Sequence, residues 1–252
     1  MSRTVNVELE YDERGFAMLL KCEWAERFIN TCAKVKLVRR RALAAGESIY
    51  LAEPKGRCWV VASGYVRLLD PVADGVQFIR LILGRGGLFG DLPFGTSAFP
   101  GFASPHQEQA TAHGPAEVLE MDRLELEAAS RAQAGLATLL LESATTRAQF
   151  LERRLLWQFK TPIRARVAIT IRDLICFEGQ RCRHGHTVDV RLTHQDLSEL
   201  VGAARPVVSA ELVRLRDEGL VSYTRSYFCV EDLSGLSRVA AGEADFAELS
   251  SG

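Results

Sequence analysis

Residues 192–230 read LTHQDLSELVGAARPVVSAELVRLRDEGLVSYTRSYFCV, and the fold of this stretch decides the architecture of the chain. Thr193 is placed to cap a helix by accepting a hydrogen bond from the Asp196 amide, with Leu197 and Leu200 on the buried side. Val201-Gly202-Ala203 then makes a tight turn: Gly202 tolerates a positive φ, and Ala203 is small enough for two helices to approach. A second helix from about Ala204 to Glu218 buries Val208, Leu212 and Leu215 and closes at Gly219. Leu220 to Tyr223 and Tyr227 to Val230 follow as a two-stranded hairpin around Thr224-Arg225-Ser226. Helix, short turn, helix and hairpin form the geometry that inserts a second helix N-terminus-first into the major groove, where Arg205 can pair with guanine O6 and N7. The competing reading is a helical hairpin used only for packing. Residues 160–230 hold 11 Lys/Arg against 8 Asp/Glu, whereas residues 231–252 hold 1 against 5. The basic excess coincides with the motif and favours DNA.

Working outward, Thr161-Pro162 starts a helix whose apolar face is Ile163, Val167, Ile171 and Leu174 and which runs out by Gly179. Val188, Val190 and Leu192 alternate as a strand. Residues 123–159 form the longest helical stretch, with a single glycine, Gly135. Leu141, Ala148 and Leu155 occupy one heptad position and Ala144, Leu151 and Gln158 another, a narrow seam flanked by Glu142, Arg147, Glu152, Arg153 and Arg154. Such a seam suits pairing with a twin helix, so Leu141, Ala144, Ala148, Leu151 and Leu155 are read as a homodimer contact; packing on its own β domain is the alternative. Residues 36–122 change to short apolar runs with glycine turns, among them a turn at Ala73-Asp74-Gly75, and predict an antiparallel β domain. Residues 1–35 read as a helical lead-in through Phe16, Leu19, Leu20, Trp24, Phe28 and Ile29. Residues 239–252 read as a frayed tail.

The whole chain carries a formal net charge of −1, so any nucleic-acid function comes from a local patch rather than from overall charge. No apolar run reaches the ~18 residues a membrane span needs, and the N-terminus lacks the apolar core of a secretory signal. The cytoplasm is the expected compartment. Six cysteines scattered over 252 residues are expected as reduced thiols. Cys182, His184 and His186 have the atoms for a metal, but three ligands in a polar turn more often form a solvated loop; no cofactor or metal is expected.

The runs AAGESIYLAE (44–53), SGYVRLLD (63–70), LGRGGLFGD (83–91), the long helix, LTHQDLSELVGAARPVVSAELVRLRDEGLV and VEDLSGLSRVA (230–240) come in an order and spacing that resembles one family. It is the superfamily of the cyclic AMP receptor protein and the fumarate-nitrate regulator (CRP/FNR), over about residues 36 to 238. The resemblance implies an α+β fold: an N-terminal antiparallel β-roll (jelly-roll-like) sensor domain over 36–122, a dimerisation helix over 123–159, and a winged helix-turn-helix over 160–238. It implies a transcription regulator that reads a palindrome as a homodimer, with double-stranded DNA as partner and, where it activates, RNA polymerase.

The family's cyclic AMP binders hold ribose and phosphate with a Gly-Glu pair and an Arg-Ser pair. Here the first corresponds to Gly90-Asp91; the second falls in PHQEQATA, at His106-Gln107 or Glu108-Gln109, with no arginine, and the adenine-touching pair falls on Leu151-Glu152. Without the charge-assisted phosphate partner, cyclic AMP is not the expected effector. The nearby Phe94, Phe99 and Phe102 could line an altered pocket or plug it, leaving a sensor or partner-binding module as the second reading. A cupin-type metal enzyme on His106, His113 and Glu117 is a third, with a poor ligand constellation.

Within the reading helix, Arg205 is assigned to a G·C pair, Val207 to a thymine methyl and Ser209 to a weaker base contact. Pro206 stands where relatives present a carboxylate. His194 and Gln195, with Arg225, Ser226 and Tyr227 in the wing, are assigned to phosphates, which fix register without reading sequence.

Overall fold

The computed structural model describes residues 22–32, 39–50, 56–71, 77–94, 109–182, 185–188, 190–224 and 228–242. The architecture is α+β, with sheets in the N-terminal part, a long central helix and a helical C-terminal part.

Eight strands make two antiparallel sheets. One has the order β1 (Arg39–Leu43), β8 (Ala116–Asp122), β3 (Arg57–Ser63), β6 (Leu88–Gly90); the other has the order β2 (Ser48–Tyr50), β7 (Gln109–Ala112), β4 (Val66–Pro71), β5 (Gln77–Leu83). Strand β3 shows why both its faces are apolar. Successive side chains point to opposite sides of a strand, so Trp59 and Val61 join Val66, Leu68, Leu81 and Phe89 in a core between the sheets. Cys58 and Val60 turn the other way, joining Phe28 and Ile29 of α1 (Cys22–Cys32) and Leu126 of α2 (Arg123–Ala132). Trp59 and Phe89 stack with centroids 5.6 Å apart. At the end of β6, Gly90 has φ +87°, and a Cβ there would sit 2.6 Å from the Trp59 ring, so only glycine fits. The Cys32 and Cys58 thiols are buried, and burial pushes both up to about 12, which leaves them as unreactive small hydrophobes.

The helix expected over 123–159 is two helices. Asp122 caps α2, its carboxylate accepting from the Leu124 and Glu125 amides, and the chain turns extended at Gln133 before α3 (Ala134–Lys160) begins. The break falls two residues before Gly135: the Gln133 amide makes the last helical bond, to Ala129 O, and the extended backbone at Gln133, φ −128° and ψ 96°, ends α2. α3 buries Leu136, Leu139, Leu140, Ser143, Phe150 and Arg154.

After Thr161-Pro162, the C-terminal part contains α4 (Ile163–Glu178), α5 (His194–Val201), α6 (Arg205–Asp217) and α7 (Leu233–Ala241). A four-stranded sheet runs in the order β11 (Val221–Tyr223), β12 (Phe228–Val230), β10 (Gly185–Val188), β9 (Gly179–Cys182). The expected alternating strand ends earlier than its pattern suggested: β10 stops at Val188, while Val190 and Leu192 are buried in the core without belonging to a strand. Residues 239–241, expected to start the tail, are the last turn of α7, with Val239 and Ala240 buried. The C-terminal core also takes in Leu69, Ile79 and Ile82 from β4 and β5, so the two parts of the molecule share one apolar cluster. Residues 1–21, with Phe16, Leu19 and Leu20, the Ala73-Asp74-Gly75 turn and residues 243–252 lie outside the described residues. Among the described residues no helix is long and apolar enough to cross a membrane.

Candidate nucleic-acid interface

The α5–turn–α6 unit is built by local chemistry. The Thr193 hydroxyl accepts from the Asp196 amide at 3.1 Å, while Asp196 Oδ2 accepts from the Thr193 amide at 2.8 Å, a complete capping box that fixes where α5 starts. The helix ends at Gly202, with φ +68° and ψ 45°, and the Gly202 amide bonds back to Ser198 O at 2.9 Å. α6 starts without a side-chain cap, with Pro206 in its first turn where the missing amide costs no helical bond. Val208, Leu212 and Leu215 anchor it as expected, joined by Glu211.

The opposite face of α6 is open. Arg205, Pro206, Val207 and Ala210 are exposed, with Val207 40% accessible. Among the described residues Arg205 has no ion-pair partner. Farther along, Arg214 is held by Glu211 at 2.8 Å and Arg216 by Asp217 at 2.8 Å, so cationic charge without a carboxylate neighbour concentrates at the helix N-terminus.

Two residues assigned to different kinds of DNA contact meet each other. His194 Nδ1 lies 3.1 Å from the Ser209 hydroxyl, and the ring packs edge-on against Tyr223 with centroids 5.2 Å apart. The ring therefore joins α5, α6 and β11. Burial, and secondarily Arg205, hold its pKa below the ordinary histidine value. Gln195 is exposed on the first turn of α5 and bonds to Glu199 at 2.8 Å. Arg225, Ser226 and Tyr227 lie outside the described residues; the strands on either side of them, β11 and β12, pair in antiparallel register.

The unit is gripped from behind. Arg154 of α3 donates to the carbonyls of Ile79, Arg80 and Leu200, and stacks over the Phe78 ring at 4.8 Å. Gln158 Nε2 donates to Val201 O at 2.9 Å, and Arg166 Nη1 reaches the same oxygen at 3.1 Å. The Leu200 and Val201 carbonyls belong to the last turn of α5, where helical partners run out. From the β sheet, Arg67 pairs with Asp196 at 2.6 Å, and the His113 ring bonds Arg191 O. The charged residues expected merely to flank the seam thus include one, Arg154, that is buried. The signal was present: Arg154 lies four residues after buried Phe150, on the same helical stripe.

The seam itself stays open. Leu141 is 67% and Leu155 58% accessible; Ala144 and Ala148 are exposed, while Leu151 is half-buried against the β core. Leu156 and Phe159, absent from the heptad reading, are exposed beside it.

Of the residues assigned to an effector, Gly90, Asp91, Leu151 and Glu152 are among those described. The Asp91 carboxylate accepts from the Gly56 amide and the Asp91 amide donates to Arg57 O at 2.9 Å, so this residue ties β6 to the start of β3. Glu152 is exposed. His106 and Gln107 lie outside the described residues. A cavity of about 550 Å³ lies elsewhere, between the Leu88–Phe94 segment and the N-terminal half of α3, and none of Gly90, Asp91, Leu151 and Glu152 lines it. Among the described residues no three His, Cys, Asp or Glu side chains cluster as a metal site.

The model of a Crp-like helix-turn-helix domain matches residues 165–239. The transcriptional regulator LdrP of Thermus thermophilus is 29% identical over 219 residues, covering 82% of this chain and all of the relative. The global nitrogen regulator of a Nostoc species is 25% identical over 186 residues, covering 74% of this chain and 82% of the relative. Among solved structures, a CooA mutant from Carboxydothermus hydrogenoformans superposes with a TM-score of 0.68 at 16% identity, over 82% of this chain and 90% of that one.

Proposed function

We propose that the chain, matched over residues 165–239 by a Crp-like helix-turn-helix model and similar to regulators at 25% and 29% identity, is a CRP/FNR-type transcription regulator that binds DNA sequence-specifically as a homodimer on a palindromic site, without cyclic AMP as its signal. The observation that carries this reading is the exposed first turn of α6, with Arg205 unpaired among the described residues and Val207 beside it, projecting beyond a turn fixed by Gly202. A helix presented N-terminus-first is the part that enters the major groove, and the hairpin after it serves as a wing over the backbone. Arg205 reads guanine, Val207 a thymine methyl; Ser209, already bonded to His194, adds at most a weak base contact. Gln195, His194 and the wing residues Arg225, Ser226 and Tyr227 meet phosphates.

The open seam of Leu141, Ala144, Ala148 and Leu155, extended by Leu156 and Phe159, supports dimerisation through α3. An apolar stripe of this length is rarely left in water. The units then correspond to a β-roll sensor over 36–122, a connecting helical segment over 123–159 and a winged helix-turn-helix over 160–238. Independence from cyclic AMP is supported by Asp91, whose carboxylate is engaged by the Gly56 amide.

The test is selection of random duplex DNA by the full chain without added nucleotide, at a stated salt concentration. Recovery of a palindrome with half-sites about one helical turn apart supports the reading. No enrichment without cyclic AMP, but enrichment with it, overturns the independence claim.

A further inference from the structure

His194, in the first turn of α5, lies against α6 and both strands of the hairpin that follows it. Its Nδ1 is 3.1 Å from the Ser209 hydroxyl of α6, and its ring meets Tyr223 of β11 edge-on at 5.2 Å and Phe228 of β12 at 6.5 Å. Tyr223 and Phe228 also meet each other at 5.6 Å, so the imidazole is one member of a closed cluster of rings and its plane is fixed. Ser209 stands one helical turn after Arg205 on the same face of α6; Arg205 is exposed and Ser209 half-buried. The side chain that anchors Ser209 therefore belongs to the preceding helix, not to the helix that carries it.

A serine hydroxyl has one proton to donate and two lone pairs that accept. Left free to rotate, it suits any base edge, donating to guanine N7 or O6 and thymine O4, or accepting from cytosine N4 and adenine N6. A bond to a fixed partner removes half of that freedom, and the protonation of Nδ1 decides which half. Burial first, and then Arg205, disfavour the imidazolium and hold the His194 pKa below its ordinary value. The hairpin strands bring the Tyr223 phenol and the apolar Phe228 ring, and among the described residues no carboxylate bonds to the imidazole. The ring is thus neutral at neutral pH, with a proton on one nitrogen. The phosphate contact proposed for His194 needs an N–H, and with Nδ1 turned to Ser209 the nitrogen left for it is Nε2.

We infer that His194 Nδ1 accepts the hydroxyl proton of Ser209 and leaves Ser209 as an acceptor alone, so that the base facing it must present an amino group, cytosine N4 or adenine N6. Guanine or thymine at that place sets its own lone pairs against those of Ser209 Oγ with no proton between them, so the position is specified by exclusion as well as by attraction. His194 itself touches no base. It is a positioning residue: the phosphate selects its tautomer, and the tautomer sets the direction of a hydrogen bond made by another side chain. The inference rests on the regulator reading.

The experiment repeats the duplex selection at about pH 8, where the ring is neutral, with the full chain, with Ser209→Ala and with His194→Phe, which keeps a ring in the cluster but has no acceptor. In the parent, one position of the half-site should favour cytosine or adenine over guanine or thymine by about fivefold, the worth of a single neutral hydrogen bond. Ser209→Ala should erase that preference. His194→Phe, checked by circular dichroism to be folded, should erase it at the same position by freeing the hydroxyl to donate, while the guanine preference assigned to Arg205 stays. A His194→Phe chain that binds all sequences more weakly with the preference intact overturns the inference, because the ring then only supports the fold. A Ser209-dependent preference for guanine or thymine overturns it too. The second readout is the imidazole nitrogen chemical shifts of His194 on the selected duplex: a lone pair at Nδ1 and a proton at Nε2 are expected, and a proton at Nδ1 overturns the inference. An enriched palindrome with no position that responds to Ser209→Ala sinks this inference alone, whereas no enrichment by the parent sinks the regulator reading and this inference with it.

Discussion

Arg67 on β4 and Asp196 on α5 form an ion pair of 2.6 Å between the β sheet and the helix-turn-helix, and the other oxygen of the same carboxylate closes the capping box on Thr193. One side chain thus starts α5 and docks it. Asp196→Asn keeps an oxygen for the Thr193 amide but removes the charge facing Arg67, which is only 21% accessible. The expected loss is about 1–3 kcal/mol in urea unfolding. A double-mutant cycle with Arg67→Gln should return a coupling of about 1 kcal/mol or more. Strict additivity of the two substitutions would mean that the pair does not dock the helix.

The proposed base reading is concentrated at Arg205. Arg205→Ala should cost about 1–3 kcal/mol of binding and relax preference at one position of the half-site, as read by repeating the selection with the variant. Arg225→Ala should instead weaken all sequences alike and make the salt dependence shallower. A variant lacking Arg205 that selects an unchanged half-site would remove the assignment.

Gly202 is constrained twice: by φ +68° and by Gln158, whose Nε2 would lie 3.0 Å from a Cβ. Gly202→Ala should therefore cost about 1–2 kcal/mol from the backbone conformation, with a further loss from displacing Gln158. In a Gln158→Ser background, which has already lost the bond to Val201 O, Gly202→Ala should cost only the first part. Thermal unfolding of the single and double variants separates them.

Acid should loosen the docked arrangement. In the folded chain burial, and next the Arg67 charge, hold the His113 pKa below its ordinary 6.5. The folded state binds fewer protons than the unfolded state between the two pKa values, so stability is full above about 6.5 and is lost as pH falls towards the folded pKa. His194 shifts the same way, by burial first and Arg205 second, and adds to the slope. Asp173 opposes it: burial raises its carboxyl from 3.8 to about 6, so its contribution is present at low pH and is lost as pH rises through about 6. His113→Gln should flatten the dependence of urea midpoint on pH between about 5 and 7. An unaltered slope would show that His113 is not one of the titrating groups.

The exposed seam predicts a dimer sensitive to charge. Leu155→Glu, alone or with Phe159→Glu, should shift sedimentation towards a monomer while leaving circular dichroism unchanged, since both side chains stand in solvent in one chain. Retention of the same association state in the double variant would place the dimer contact elsewhere.

Much of this was legible from residue patterns. Thr193, Asp196 and Gly202 specify the turn by local hydrogen bonding and a left-handed φ, which depend on few neighbours, and the structure has each where its chemistry requires. The strands of the β domain were legible through short apolar runs and glycine turns. The break at Gln133 was not, because no proline marks it, the neighbouring Gly135 alone does not fix a helix end, and the break itself is a single residue turning extended. Arg154 was read as a solvated flank because its charge outweighed its position on the buried stripe; its carbonyl partners come from β5 and α5, far away in sequence. Phe94, read as lining or plugging a pocket, does line the cavity, whereas the part of α3 that faces it escaped, since the two segments meet only in three dimensions.

The 27 residues of α3 form a rod about 40 Å long. Its first half walls the cavity, and its last turns carry Arg154 and Gln158, which hold the carbonyls ending α5. Such a rod is a lever: a tilt of ~5° pivoting at its first turn sweeps the far end through ~3 Å. Hydrogen bonds tolerate only about half an ångström of stretch, so the tip either drags the Gly202 turn along or lets go of it. Either way, a small tilt of α3 beside the cavity becomes a several-ångström stroke at the turn between α5 and α6.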